Sequence, residues 1–274
     1  MNREAKMNIP DDDPDDLDLY SEETELVSRS AHADHADPIV DPSIVNKQPG
    51  RVTTTAQLTL HTKLSHRLFY GRKKSVITED NNGKIQSRKV LPIIGLVRFV
   101  SNINVIHDLA SSNDPYADNV LLEIELSLKT VTEAIDSKVE ELEQLIDAVP
   151  GISIQLSASI EPVKIPLEFR TPFGFVAARL LQKYDTLVLN ALAARQIGLI
   201  FDSDWNRVVN KTGSSIRALF LMSTQYRATG ATRDDIVSNS PKARKAIELY
   251  GELPKEVLEG RKRSRWAPKL AQLS

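Results

Sequence analysis

The sequence contains no cysteine and few aromatic residues, and these shortages limit what the protein can be. Without cysteine there are no disulfides, no thiolate metal sites and no cysteine nucleophile, as is usual in a reducing compartment. Phenylalanine, tryptophan and tyrosine make up only 5% of the 274 residues, although 41% are hydrophobic. Aliphatic side chains therefore have to build the core, and the length allows one large domain or two small ones.

Long apolar runs are also missing from the sequence. No run approaches the roughly 18 residues that a membrane-spanning helix needs. The N-terminus lacks the basic and then apolar order of a signal peptide. We therefore expect a cytoplasmic protein that has no membrane contact.

The sequence motifs of common enzymes are absent as well. There is no glycine-rich phosphate loop, no His-Glu-x-x-His and no Gly-x-Ser-x-Gly. Only five histidines are present, and two of them, His32 and His35, lie in a charged N-terminal segment. Since few groups are available for acid–base catalysis, we expect no enzymatic activity, no cofactor, no metal and no small-molecule ligand.

Charge is distributed unevenly along the chain. Residues 1–41 carry 13 acidic and three basic side chains, a net charge of −10, whereas residues 42–274 carry 32 basic and 24 acidic ones, a net charge of +8. Residues 1–50 are too charged and too poor in apolar side chains to fold alone, so we predict a disordered acidic tail there. The basic remainder suits a polyanionic partner such as DNA.

The segment 163–170 predicts a strand, because apolar and polar side chains alternate along it and would lie on opposite faces. The polar face consists of Lys164, Pro166, Glu168 and Arg170. A lone strand is not stable, so it needs a partner strand. That partner is either the same strand of a second chain, which gives an intermolecular ribbon, or the alternating run 152–160, which gives a hairpin. Pro166 has no N–H group to donate to a neighbouring strand, which is acceptable only where the strand has a free edge, as in a two-stranded ribbon.

Two helices are predicted directly after this strand. Thr171 and Pro172 are typical of a helix start, and the first helix continues to about Ile197. Asp202 or Ser203 would cap the second helix.

The order of a strand and two helices indicates a DNA-binding ribbon. Its apolar face would be buried on the helices, and its polar face could enter the major groove, which admits a two-stranded ribbon. Lys164, Glu168 and Arg170 would then contact DNA. At the start of the second helix, Arg207 and Lys211 would attract phosphate.

A second candidate DNA-binding strand presents Gln57, Thr59 and His61 on its polar side. A basic helix follows it over 63–70. The next helix begins only after a long polar loop over 71–90, which is too long for a compact turn between two helices unless the loop holds an insertion. We therefore rank this strand second.

Most of the remaining chain is predicted to be helical. Helices are expected over 95–109, from Pro115 to Ala148 and over 241–250. The long second one has a glutamate-rich outer face that would repel DNA, so we assign it to scaffolding or protein contacts. Residues 242–269 carry nine basic and four acidic side chains, a density that could attract phosphate.

Several segments together resemble one family, the AcaB-like proteins of conjugative plasmids and integrating conjugative elements. The resemblance spans about residues 52–270. It rests on the ordered set Leu58-Thr59-Leu60-His61-Thr62, Ile93-Ile94-Gly95-Leu96, Asp114-Pro115-Tyr116-Ala117-Asp118, Glu161-Pro162-Val163-Lys164-Ile165-Pro166-Leu167, Ala193-Ala194-Arg195-Gln196-Ile197-Gly198-Leu199 and Gly251-Glu252-Leu253-Pro254. It implies a dimeric activator of conjugative transfer with an enlarged ribbon-helix-helix core. Glu168 departs from the basic residues of that family at this position.

The sequence thus predicts a mainly α protein with a short β element, an α+β fold. Its ribbon-helix-helix-like core would be dimerised through an antiparallel strand pair and enlarged by the long helix. We expect a helical domain over 51–238, with its core best placed at 161–226, and a basic extension over 239–274. The predicted function is a homodimeric regulator that binds double-stranded DNA at promoters, and the resemblance implies an activator of conjugative transfer genes. The alternative is a helical adaptor that binds protein partners in the transfer machinery.

Overall fold

A computed structural model describes residues 56–81, 84–149 and 161–270, with only the backbone described over 75–89. The strands are β1 (Ala56–Leu60), β2 (Ser75–Asn81), β3 (Lys84–Val90) and β4 (Val163–Leu167). The helices are α1 (Lys63–Tyr70), α2 (Leu96–Ser111), α3 (Pro115–Asp147), α4 (Pro172–Gln196), α5 (Asp202–Met222), α6 (Arg233–Val237), α7 (Pro241–Tyr250) and α8 (Lys255–Leu258). Within the described residues, no helix is long and apolar enough to cross a membrane. The predicted acidic tail and the run 152–160 lie outside these residues.

The mainly helical fold with a little antiparallel sheet agrees with the predicted α+β class. Its core is built on α3 and α4, which pack along each other, while α2 and α5 pack against both. The apolar positions of α3 step by four and three residues, so they share one face of the helix. The fully buried members of that face are Leu121, Ile124, Leu128 and Ile135. The long helix predicted from Pro115 is therefore confirmed, and it ends at Asp147.

The chain contains the same local design twice, in β1–α1–α2 and in β4–α4–α5. In each unit a buried threonine, Thr62 or Thr171, precedes the first helix with nearly the same extended backbone: φ −115° and ψ 146° at Thr62, φ −119° and ψ 151° at Thr171. A glycine with positive φ follows that helix, Gly71 at 78° and Gly198 at 77°. Glycine adopts this conformation without the strain that a Cβ causes. Both strands are thus followed by two helices, and the junctions share a backbone conformation, although only Thr62 caps its helix through its side chain.

The residues between α1 and α2 form a hairpin, which corrects the prediction of a long polar loop. β2 pairs with β3 in antiparallel register, and Arg72 and Ile93 exchange backbone hydrogen bonds of 3.0 and 2.8 Å at the base of the hairpin. A Cβ added to Gly95 would lie 2.2 Å from the Gly71 nitrogen, so the two glycine backbones are in contact. The hairpin is therefore an insertion, and the helix ends on either side of it meet as closely as in a short turn.

Asp114 fixes the corner between α2 and α3. Its carboxylate accepts hydrogen bonds from the N–H groups of Tyr116 at 2.9 Å and Ala117 at 3.1 Å, and from the hydroxyl of Tyr226 beyond α5. Burial raises the pKa of Asp114 above its usual value, while these hydrogen bonds oppose the rise. The start of α3 is in this way tied to the segment that follows α5.

The C-terminal segment is held on α3 by a buried ion cluster. The carboxylate of Asp118, which is fully buried, accepts Nη2 of Arg233 at 2.5 Å and both Nε and Nη2 of Arg263 at 2.8 Å. Nearby, the ring of Trp266 packs edge-on against Phe173 at the start of α4, with ring centroids 5.0 Å apart. Arg263, one of the basic residues in 242–269 that could attract phosphate, is therefore paired with a carboxylate inside the fold.

Substituting Asp118→Ala should lower the free energy of unfolding by about 3–5 kcal/mol, because it leaves the buried guanidinium of Arg233 and the partly buried one of Arg263 without their carboxylate. Urea unfolding measures this loss, and limited proteolysis should show earlier cleavage within 255–270. Glu140→Ala removes an exposed carboxylate from the same helix and should change stability by less than about 0.5 kcal/mol. Equal effects of the two substitutions would contradict this account of the C-terminal segment.

Candidate nucleic-acid interface

β4 pairs with β1 of the same chain. The antiparallel register runs from Ala56 opposite Leu167 to Leu60 opposite Val163. The sequence offered two partners for this strand, a second copy or the run 152–160, and β1 is neither of them. The chain thus completes its own ribbon, so the predicted pairing with a second chain is not needed for it. The reason is that α1 packs on α4, which brings the strand ahead of α1 alongside the strand ahead of α4.

One face of this ribbon is entirely apolar. The register places on it Ala56, Leu58, Leu60, Val163, Ile165 and Leu167. Leu58, Leu60 and Ile165 are buried in the core, and β1 packs on α4. Val163 lies at one end of the ribbon and is 42% exposed. The predicted alternation is thus confirmed at Leu58, Leu60 and Ile165, whereas Ala56 and Leu167 are only partly buried.

The opposite face carries the polar side chains of both strands that the sequence proposed for DNA contact. This polar face consists of Gln57, Thr59, Lys164 and Pro166. Gln57 lies opposite Pro166 and Thr59 opposite Lys164; all are exposed except Thr59, which is partly exposed. His61 and Glu168 come directly after the strand ends, partly exposed and exposed respectively. The structure therefore joins the first and second candidate strands into one surface.

A buried carboxylate on α4 fixes the end of β1. Oδ2 of Asp185 accepts the N–H of His61 at 2.7 Å, and Oδ1 accepts the N–H and the hydroxyl of Thr62 at 3.0 and 2.7 Å. The Thr62 hydroxyl oxygen in turn accepts the N–H of Ser65 and so caps α1. Asp185 is 2% exposed, and hydrogen bonds to a buried charged acceptor are among the stronger ones in proteins. Both strands of the ribbon are thereby attached to α4.

Arg170, a predicted DNA contact, lies beyond the ribbon and is directed to α2. Its guanidinium donates to the carboxylate of Asp108 and, at 3.2 Å, to the carbonyl oxygen of Asn104. Burial lowers the pKa of His107 below its usual value, so this neighbouring ring is uncharged at pH 7. The Asp108 carboxylate offsets the positive charge of Arg170, which reduces its attraction for phosphate.

The start of α5 differs from its predicted form. The residue before the helix is Phe201, whose side chain has no atom that can accept a hydrogen bond. Asp202, one of the two predicted caps, lies inside the helix, and its carboxylate is 2.6 Å from Nε of Arg195 on α4. Arg207 donates to Asp204 at 3.0 Å, one turn earlier on the helix. Asp202 and Asp204, whose negative charges oppose phosphate binding, thus each have a basic neighbour. Lys211 lies exposed one turn beyond Arg207.

The groups at this surface are suited to recognition. They comprise an amide, a hydroxyl, an imidazole, an ammonium and a carboxylate, which can donate and accept hydrogen bonds at base edges. In the part of the chain that the structure describes, no group of three or more His, Asp or Glu side chains is arranged to hold a metal ion.

Sequence reasoning missed Asp185, although a signal for it was present. The residue falls within the apolar face of the helix predicted from Pro172, next to Tyr184 and one turn from Leu181 and Val188. A carboxylate at such a position has to be paired or hydrogen-bonded, since burying an unpaired charge is costly. The pattern therefore indicates that Asp185 makes a buried contact, but only the fold identifies His61 and Thr62 as its partners.

Replacing Asp185 with alanine should lower the free energy of unfolding by about 2–4 kcal/mol, because three hydrogen-bond donors lose their acceptor. Amide hydrogen exchange at 58–62 should become faster. Asp185→Asn keeps one acceptor oxygen and should have an intermediate effect, and Gln182→Ala, on an exposed position of the same helix, should have almost none. Unchanged exchange at 58–62 in the alanine variant would show that this carboxylate does not hold the ribbon.

A comparison with family models gives a match over most of the chain. The chain matches the family model described as "Transcriptional regulator AcaB" over residues 48–271. Among solved structures it is similar to a crystal structure of selenomethionine-containing AcaB from uropathogenic E. coli, at 16% identity and a TM-score of 0.47, covering 78% of this chain and 100% of the other. A comparison with curated proteins found no match. The family description favours the predicted regulator over the predicted adaptor.

Proposed function

Because the chain belongs to the AcaB family of transcriptional regulators, we propose that it binds double-stranded DNA in a sequence-specific manner through the β1–β4 ribbon. We interpret β1–α1–α2 and β4–α4–α5 as two ribbon-helix-helix-like units that share this ribbon. The polar face, with His61 and Glu168 beside it, enters the major groove, and the helices behind the ribbon carry it.

The observation that carries the proposal is the one-sided character of the ribbon. Its apolar face is buried against helices, so the opposite face has to point away from them and is exposed at Gln57, Lys164 and Pro166. A two-stranded ribbon fits the width of the major groove. Lysine pairs with the O6 and N7 acceptors of guanine, glutamine with adenine, and a carboxylate with the amino group of cytosine. Lys164, Gln57 and Glu168 supply these three groups.

Phosphate contacts on either side of the ribbon would come from the starts of the second helices. In the described residues no side chain caps α2 after Gly95 or α5 after Phe201. Backbone amides and the helix dipole at such ends favour phosphate. Lys211 adds positive charge on α5, whereas Arg207 and Arg170 contribute less because Asp204 and Asp108 already offset their charges.

The regulated genes and the assembly state complete the proposal. On the resemblance to AcaB-like proteins, we assign the chain to the activation of conjugative transfer genes, which a reporter fused to a transfer promoter tests in cells. A homodimer is no longer needed to complete the ribbon, because β1 does so. We retain a homodimer as a way for two ribbons to bind one operator, and sedimentation velocity with and without DNA tests it.

Lys164→Ala should weaken binding to a selected DNA site by about 5- to 100-fold, the usual effect of losing one base contact. Helicity and mass in solution should stay unchanged, because the side chain is exposed. Fluorescence anisotropy at fixed salt measures the affinity. Lys129→Ala, an equivalent loss of charge on the exposed side of α3, is the matched control. If the Lys164→Ala variant bound with wild-type affinity, Lys164 would not be part of the interface.

Lys211→Ala should weaken binding to all DNA sequences to a similar degree, because a phosphate contact carries no base information. The slope of log K against log salt should decrease by about 1. Titrations at several salt concentrations on selected and random fragments measure both quantities. A change in base preference without a change in slope would contradict the assignment of Lys211 to phosphate.

A further inference from the structure

The ribbon has approximate two-fold symmetry within one chain. In its register the central pair is Leu58 and Ile165, and a rotation about their midpoint exchanges β1 with β4. The two units also share the order of a threonine before the first helix and a glycine of positive φ after it, although Thr62 follows its strand by two residues and Thr171 by four. A ribbon formed by two copies of one strand would instead have identical halves.

The side chains exchanged by this rotation are chemically different on the polar face. Gln57 takes the place of Lys164, and Thr59 takes the place of Pro166. Thr59 and Lys164 stand opposite each other at one end, with His61 following, whereas Gln57 and Pro166 stand at the other end, with Glu168 following. One end therefore carries an ammonium, a hydroxyl and an imidazole, and the other an amide, a carboxylate and a proline ring that offers no hydrogen bond.

We propose that one chain reads a DNA element that has no internal two-fold symmetry, with its two sides assigned to the two ends of the ribbon. This inference rests on the proposed function. The Lys164 end prefers guanine and the Gln57 end prefers adenine, following the acceptors and donors that each base edge presents. Residues two apart on a strand are separated by about 7 Å, so the two preferences fall about two base pairs apart.

The rival arrangement is a ribbon made from β4 and a second copy of β4 when DNA is bound. In that ribbon both halves present Lys164, so the element would be palindromic about its centre. Gln57 would lie outside the ribbon, and its substitution would leave base preference unchanged. The two arrangements therefore predict different DNA sequences and different responses to Gln57→Ala.

Selection of DNA from a random pool by the full-length protein, followed by sequencing, separates these arrangements. The wild-type, Gln57→Ala and Lys164→Ala proteins are compared at equal salt, after circular dichroism and urea unfolding have shown that all three are folded. We expect an asymmetric element. Gln57→Ala should reduce the adenine preference and Lys164→Ala the guanine preference by about 5- to 100-fold, at different positions. If two chains bind together, this element should occur twice within the selected site.

The other outcomes overturn one proposal or both. An element that is palindromic about its own centre, changed at equivalent positions of both halves by Lys164→Ala and unaffected by Gln57→Ala, overturns the asymmetric reading and leaves DNA binding intact. A pool that shows no enrichment with the folded wild-type protein overturns the proposed function, and this inference with it.

Discussion

The carboxylate of Asp185 is the interaction on which the ribbon depends. It holds the residues that follow β1, and it lies on α4, the helix that follows β4. A two-stranded ribbon is marginally stable by itself in water, so strand pairing alone would leave β1 poorly fixed. With Asp185 in place, the end of β1 is fixed to α4, which is also the helix that follows β4 in the chain. The backbone of the ribbon is then fixed before any partner arrives, which lowers the entropy cost of binding.

The remainder of the fold supports this presentation from behind. The apolar face of the ribbon joins a core built on α3 and α4, and the Asp118 cluster docks the C-terminal segment on α3. The hairpin of β2 and β3 is inserted at a junction where Gly71 and Gly95 touch, so it leaves the packing of α1 against α2 intact. The added hairpin and C-terminal segment therefore leave the two units, each of one strand and two helices, intact.

Much of this architecture could be predicted from the sequence, because helices and the two faces of a strand depend on local sequence patterns. The steps of three and four in α3, the Thr171-Pro172 start of α4 and the alternation in β4 each depend on residues close together in the chain. The pairing of β4 with β1 could not be predicted in this way, since more than 100 residues separate them and alternation does not identify a partner. The hairpin at 75–90 was missed because its polar, charged strands alternate weakly. The direction of Arg170 was missed because it depends on Asp108, a tertiary neighbour.

The claim that one chain supplies both strands can be tested by a cross-link, because the protein has no cysteine of its own. In a Thr59→Cys, Lys164→Cys variant the two thiols replace side chains that lie directly opposite each other in the register. Cα atoms of such pairs are about 4.5–5.5 Å apart, which suits a disulfide. Oxidation at low protein concentration, followed by non-reducing electrophoresis and peptide mass analysis, should give a link within a monomeric chain. Links found only between chains, or none, would contradict the account.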